Sequence, residues 1–380
     1  MMTIGFDAKR AVQNFTGLGN YSRYVIDALK TCYPDEAYRL YAPKQCENVR
    51  LEKILAAGQG SATLHYPQSA MGRCFSALWR IHGICRDLEA DCVQLFHGLS
   101  NELPLNIHRY PSVRSVVTIH DLIFKPHPEC YPAIDRQIYD FKSRSACQKA
   151  DRIIAVSECT KRDIVRYYGI NPDKIEVIYQ GCDPSFAEEV SPQKLVEVRR
   201  RLTLPEHYLL SVGSIEQRKN TLLALRALRY LPQHLHLVLV GRHTSYTDEL
   251  TAFARKEGLT KRLHIYHGLS YADLPAVYQA ADCFVYPSKY EGFGIPILEA
   301  LNSRIPVVAA TGSCLEEAGG PQSLYVAPTD DRALAEAVLA VQDTARRAEM
   351  IGAGLQWAER FSFRQMADET MTLYRKLIQK

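Results

Sequence analysis

The stretch SKYEGFGIPILEAL, residues 288–301, sets two glutamates, Glu291 and Glu299, around Gly292, Phe293, Gly294 and Pro296. The apolar CFVYPS (283–288) before it reads as a strand, KYEGFG as the loop at its carboxyl end, and ILEAL as the start of a helix. Pro296 suits a first helical turn, where its missing N–H costs nothing. Gly292 and Gly294 let the backbone approach a ligand closely, and the free N–H groups of a helix start favour an anion such as phosphate. Glu299 is expected in the first turn, where its carboxylate can accept hydrogen bonds from two adjacent hydroxyls, as on a ribose. Glu291, at the strand end, is expected to face a binding cleft. The plain alternative is a glycine turn with Glu299 complementing the helix dipole.

Working outward, short apolar runs alternate with longer amphipathic ones. Strands are expected at 3–7, 38–42, 92–98, 115–121, 152–157 and 175–179, and a second series at 207–214, 235–241, 263–268, 283–288, 305–310 and 323–327. Alternation of this kind indicates mainly parallel sheets with helices on both faces. The restart near 207 indicates two Rossmann-like α/β domains, residues 1–190 and 191–359. They are joined by a polar stretch between 180 and 205 that contains Pro184, Pro192 and Pro205. The tail 360–380 places Phe363, Met366, Leu373 and Leu377 near helical spacing and carries five Lys/Arg against two Asp/Glu. It reads as a closing helix that packs back on the first domain, with a membrane-surface helix as the rival.

The totals narrow the function. Length of 380 residues fits two domains, and a formal net charge of +4 is too small to argue for nucleic acid. That charge does fit anionic small molecules and a weak peripheral attraction to acidic membrane surfaces. Eleven cysteines are scattered without a C-x-x-C pair or a metal-ligand spacing, which suggests reduced, packing cysteines and no metal site. No signal core or run long enough to span a membrane occurs, so a cytoplasmic location is expected.

Further motifs sit at expected strand ends. In LLSVGSIEQRKN (209–220) Arg218 and Lys219 follow a strand ending at Gly213; two adjacent cations there can neutralise a diphosphate, although an RK pair can also be merely solvated. AVQNFTGLGNYSRYV (11–25) carries Gly17 and Gly19 before a helix, but Ser22 fills the third glycine position of a dinucleotide fingerprint. SVVTIHD (115–121) puts His120 and Asp121 at a strand end, and LFHGLSNELP offers His97 as a shaper of an acceptor side.

Together these segments resemble retaining glycosyltransferase family 4, whose members share the GT-B architecture, two Rossmann-like domains facing each other across a deep cleft. SKYEGFGIPILEAL resembles the family's Glu-x7-Glu signature. The resemblance implies that Glu291 lies by the donor sugar, that Glu299 holds the ribose, and that amides of Gly292, Phe293 and Gly294 contact sugar or phosphates. The 209–220 segment is similar to the family's V-G-x-x-x-x-R-K-N element, in which Arg218 and Lys219 would bind the donor diphosphate. Some relatives carry a further basic residue where Ser214 stands. Gly17 and Gly19 resemble the glycine loop facing donor and acceptor, and His120 the T-x-H-D histidine lining the sugar site, as base, hydrogen-bonding group or packing group. AVSECTKRDI (155–164) is similar to a structural element, with Ser157 as a helix N-cap. The likeness runs from Gly5 to about Val338. Departures are Arg304, where relatives usually carry glycine, and Glu316, where proline is common.

The resemblance implies a retaining hexosyltransferase. It is expected to act without metal or cofactor, because no DxD pair is present and the basic pair can stabilise the leaving phosphate. The expected donor is GDP-mannose, as in bacterial mannosyltransferases of cell-surface polysaccharide synthesis, with a glycan or lipid-linked glycan as acceptor. A UDP-sugar is the alternative donor, and base choice is placed near Tyr266–Leu269. A glycosidase using paired carboxylates, a dehydrogenase and a non-catalytic sugar-nucleotide sensor each leave part of this constellation unused.

Overall fold

A computed structural model describes residues 1–57 and 61–379; Lys380, the last residue of the expected tail helix, lies outside them. The first sheet contains β1 (Thr3–Asp7), β2 (Ala37–Tyr41), β3 (Ala62–His65), β4 (Leu95–Gly98), β5 (Arg114–Ile119), β6 (Arg152–Ala155) and β7 (Ile175–Val177), in the order β3-β2-β1-β4-β5-β6-β7. The second contains β8 (His207–Val212), β9 (Leu235–Val240), β10 (Leu263–Tyr266), β11 (Cys283–Tyr286), β12 (Val307–Ala310) and β13 (Leu324–Val326), in the order β10-β9-β8-β11-β12-β13. Neighbouring strands are parallel throughout; Ile4 pairs with Leu95 and Cys283 with Leu209. Such strands are apolar because a parallel sheet is covered on both faces. CFVY and VVAA, at β11 and β12, are buried at every position.

Both sheets reverse their order at the first strand, between β1 and β4 and between β8 and β11. Crossovers leave those strand pairs to opposite sides, so a crevice opens beyond their carboxyl ends. Candidate ligand-binding residues are therefore those following β1, β4 and β5 in one unit and β8 and β11 in the other.

The chain forms two units, Met1–Gln180 with Phe363–Lys380, and Gly181–Ser362. The boundary lies at 180 rather than 190 because Phe186 is buried against Tyr278 (ring centroids 5.3 Å apart) and Tyr271 (6.0 Å) of the second unit. The expected polar joining stretch is itself folded: Pro184 and Pro192 open a 3₁₀ turn and the helix Pro192–Leu202, positions where proline is at home. The terminal helix Phe363–Ile378 returns to the first unit. Met366, Met371, Leu373, Tyr374 and Leu377 are buried, and Tyr33 Oη donates to Asp368 Oδ1 at 2.7 Å. Its apolar face is thereby used up inside the protein, which removes the membrane-surface reading of this tail. One strand, β3, was not expected: ATLH lacks an apolar run and lies at a sheet edge.

Candidate active site

In the second unit, β8 is followed by Gly213, whose φ of +146° suits glycine. Its carbonyl lies where a Cβ on Gly241 would come within 1.9 Å, so the turns after β8 and β9 need a glycine at 241. The chain then makes a 3₁₀ turn, Gln217–Lys219, stopped by Asn220 in the left-handed region (φ 54°). Asn220 Nδ2 donates to the carbonyls of Pro287 (3.0 Å) and Pro328 (2.8 Å), and Lys289 N–H donates to the Arg218 carbonyl (2.9 Å). The R-K-N segment is thus stitched to the loop after β11.

That stitching brings the cations onto Glu291. Lys219 Nζ lies 2.6 Å from Glu291 Oε1 and Arg218 Nη1 2.8 Å from Oε2. Ser288 Oγ donates to Oε1 at 2.6 Å, and the Tyr286 hydroxyl lies 3.2 Å away while also accepting from Lys219 Nζ at 2.7 Å. Arg218 is held in turn by the Tyr290 carbonyl and Glu216, each at 2.6 Å. Burial pushes the Glu291 carboxyl up, but Lys219 and Arg218 outweigh it and hold the group down at about 2. Arg218 and Lys219 are therefore not a solvated surface pair. Glu291 is a buried, ionised carboxylate between two cations, and an arriving diphosphate would compete with it for both.

The loop closes on Gly294, where φ is +114° and a Cβ would come within 3.2 Å of Leu315 Cδ2. Helix Ile295–Asn302 follows with Pro296 in its first turn. Cys314 Sγ donates to the carbonyls of Glu291 (3.1 Å) and Phe293 (3.0 Å), pinning the loop from below. Phe293 is buried against Phe361, so only its backbone can meet a ligand. Glu299 stands one residue beyond the first turn rather than within it, and is buried. Its Oε2 accepts from Tyr278 Oη at 2.7 Å, while Oε1 has no hydrogen-bond partner among the described residues. Burial raises its carboxyl to about 7, partly opposed by the Tyr278 bond and helped by Asp183. A group so placed is no dipole cap; it is a carboxylate with one oxygen anchored and the other open to a hydroxyl.

The first unit holds the remaining candidates. His120 follows β5 and is buried, donating Nε2–H to the Leu99 carbonyl at 2.9 Å and packing edge-on against Tyr21 at 4.5 Å. Burial lowers it to about 4, so it is neutral with its lone pair on Nδ1. Its backbone N–H is held by Asn101 Oδ1 (2.7 Å), and Ser157 caps the next helix by accepting from Thr160 N–H (3.0 Å). Gly17 opens the helix Gly17–Cys32 and is exposed, and a Cβ added there would meet nothing within 4 Å. Gly19 differs. A Cβ there would strike the Asn14 carbonyl at 1.9 Å, and its N–H is already given to Asn14 Oδ1 at 3.1 Å, so it serves packing and not phosphate. His97 is also corrected: fully buried, it bonds Tyr374 Oη (2.5 Å) through Nδ1 and Thr118 Oγ1 (2.8 Å) through Nε2, so both ring nitrogens are taken up inside the protein.

Sequence reasoning missed Ser288, Tyr286, Tyr278 and Asn220. Only Asn220 carried a signal, since asparagine tolerates left-handed backbone. Among the described residues no three His, Cys, Asp or Glu side chains gather so that they could hold a metal ion, and no helix is long and apolar enough to cross a membrane. All eleven cysteines are unbridged.

Two family models match this chain: Glycosyltransferase Family 4 over residues 38–186 and Glycosyl transferases group 1 over residues 197–357. The O-antigen chain mannosyltransferase B of Escherichia coli is 31% identical over 290 residues, 74% of each chain. The O-antigen chain mannosyltransferase RfbU of Salmonella typhimurium is 26% identical over 61% of this chain and 62% of its own. A solved structure of Anabaena Alr3699/HepE, in complex with UDP and glucose, superposes with a TM-score of 0.78 at 18% identity, covering 99% of this chain and 100% of that one. The matched models, the identity to an O-antigen mannosyltransferase and the paired parallel sheets agree: the chain belongs to glycosyltransferase family 4 and has the GT-B fold.

Proposed function

We propose that this glycosyltransferase is a retaining, metal-independent mannosyltransferase that moves mannose from GDP-mannose onto a glycan or lipid-linked glycan, on the cytoplasmic side, in cell-surface polysaccharide synthesis. The observation that carries the reading is the pairing of Arg218 and Lys219 with Glu291 beside the Gly294 helix start. Two cations and a helix N-terminus can take the charge that develops on a departing diphosphate. Glu291, kept ionised, is suited to stabilise positive charge at the anomeric carbon and to orient sugar hydroxyls. Glu299 Oε1 would take a ribose hydroxyl, amides from Gly292 to Gly294 the sugar or phosphates, and Gly17 the phosphate side. His120 Nδ1 would accept a hydrogen bond from a sugar hydroxyl. Mannose is favoured by the names of the two O-antigen relatives.

A UDP-sugar is the second reading, favoured by the UDP and glucose bound to the Anabaena protein. Thermal stabilisation by GDP, UDP and their sugar conjugates separates the two, with Lys219→Ala and Glu299→Ala alongside. A GDP-selective rise in Tm, lost in both variants, is expected. A UDP-selective rise overturns the donor, and no rise with any nucleotide overturns the site.

A further inference from the structure

The two glutamates of the site are tied to each other inside the second unit. Tyr278 stands on the helix Leu274–Gln279, and Phe284 and Tyr286 lie two residues apart on β11, so their side chains leave the same face of the strand. Tyr278 stacks on Phe284 (ring centroids 5.3 Å apart, planes at 29°), and Phe284 stacks on Tyr286 (5.6 Å, 23°). All three rings are buried, and Phe186 meets Tyr278 edge-on at 5.3 Å.

Each end of this stack sets a hydroxyl on a glutamate. Tyr278 Oη donates to Glu299 Oε2 at 2.7 Å, and Tyr286 Oη donates to Glu291 Oε1 at 3.2 Å while accepting from Lys219 Nζ at 2.7 Å. Burial, with Glu299 beside the one and Glu291 beside the other, pushes both phenols well above their usual range, so both stay donors. The ends are not equally needed. Glu291 is also held by Ser288, Arg218 and Lys219. The Glu299 carboxylate has no hydrogen bond among the described residues except the one from Tyr278.

A carboxylate anchored at one oxygen presents the other in one place. The position of Glu299 Oε1 therefore follows from where Tyr278 sits, and Tyr278 sits against Phe284. We propose, on the reading that Glu299 takes a ribose hydroxyl, that Tyr278 is the positioning residue for that carboxylate. Phe284 acts through Tyr278, as the spacer that holds Glu299 at a fixed distance from the Lys219–Glu291 pair. Tyr278 and Phe284 are fully buried and have no surface to offer a ligand. The groups facing the Glu299 carboxyl are Tyr278 and, from the chain after Gly181, Cys182 and Asp183. Burial raises the Cys182 thiol, which stays neutral. Burial and Asp183 raise Glu299 itself, and the Tyr278 bond draws it down. Tyr278→Phe removes that bond and leaves the ring, so the rise of nucleotide affinity with pH should move upward from about 7.

The test is isothermal titration of GDP and of UDP into the full chain from about pH 6 to about pH 9, with Tyr278→Phe, Phe284→Leu, their combination and Glu299→Gln alongside. Whichever nucleotide the parent binds, Tyr278→Phe is expected to bind it about tenfold more weakly at neutrality, with its pH profile displaced upward. Phe284→Leu, near in volume but without a ring to stack on, should lose about threefold, and nothing further when added to Tyr278→Phe. A parent-like affinity and pH profile in Tyr278→Phe, beside a weakened Glu299→Gln, overturns the proposal alone. Losses that multiply in the combined variant mean that Phe284 does not act through Tyr278, and overturn its part. A Glu299→Gln that binds as the parent does, or a parent that binds neither nucleotide, overturns the ribose reading and the proposal with it.

Discussion

Lys219 Nζ and Glu291 Oε1 lie 2.6 Å apart at the carboxyl end of the second sheet, in a site where Glu291 also meets Arg218. The pair is a resting neutralisation. Removing the carboxylate charge releases both cations for phosphate while taking away the group proposed to face the sugar. Glu291→Gln is expected to bind the nucleoside diphosphate about fivefold more tightly, close to 1 kcal/mol, and to turn over roughly 10²-fold more slowly. Isothermal titration and initial rates check this. Unchanged affinity with full turnover would remove Glu291 from the mechanism.

Glu299 gives nucleotide binding its own pH profile. In the proposed ribose contact, hydroxyls donate to the ionised carboxylate, and the buried group, raised to about 7, is partly protonated near neutrality. Ligand binding favours the ionised form, so affinity should rise as pH increases through about 7 and level off above it. Glu299→Gln should bind more weakly and lose the dependence. A parent affinity flat between about pH 6 and 8 contradicts the assignment.

Stability should respond to acid through three buried groups. Burial lowers His97 to about 3 and His120 to about 4, from an ordinary value of 6.5. Below 6.5 the unfolded chain binds protons that the native chain refuses, so their contribution is complete above 6.5 and lost on acidification. Glu299, raised from 4.5 to about 7, works in the opposite sense: its native state keeps a proton, and stability is lost as pH rises from 4.5 to 7. Between pH 4.5 and 6.5 these three groups leave a net difference of about one proton, a slope of about 1.4 kcal/mol per pH unit. Glu299→Gln removes the opposing group and should steepen the acid loss to about two protons. Urea unfolding of both proteins at about pH 5 and about pH 6 measures the difference in slope; equal slopes would contradict it.

Arg304 adopts φ 59° after the helix Ile295–Asn302. A left-handed conformation costs a side-chain-bearing residue about 1–2 kcal/mol, and glycine gives back about 0.5–1 in chain entropy. Arg304→Gly loses one exposed bond to the Ala187 carbonyl, 3.3 Å long. A net gain of about 0.5 kcal/mol, or ~1–2 °C in Tm, is expected by calorimetry. A lower Tm would mean that the bond outweighs the backbone relief.

The strands were legible where burial on both faces forces a continuous apolar run, as in LHLVLV and CFVY, and not where an edge relaxes it, as in ATLH. Prolines 184 and 192 suggested an open linker because sequence shows a breaker without showing that it stands at a helix start. At the site the residue types were legible but their pairing was not. Lys219 and Glu291 are 72 positions apart, and only the reversal of strand order between β8 and β11 makes them neighbours. His97 was misplaced for a related reason. Its partner Tyr374 lies on the terminal helix, and a strand-end histidine looks the same in sequence whether it faces ligand or core.

That terminal helix also orders events during synthesis. Gly181–Ser362 is one uninterrupted length of chain, whereas the first unit waits for Phe363–Ile378 to cover Tyr33, Glu36 and His97. Domains otherwise fold in the order in which they leave the ribosome. Here the second unit has all its residues before the first does, and the unit made first is finished last.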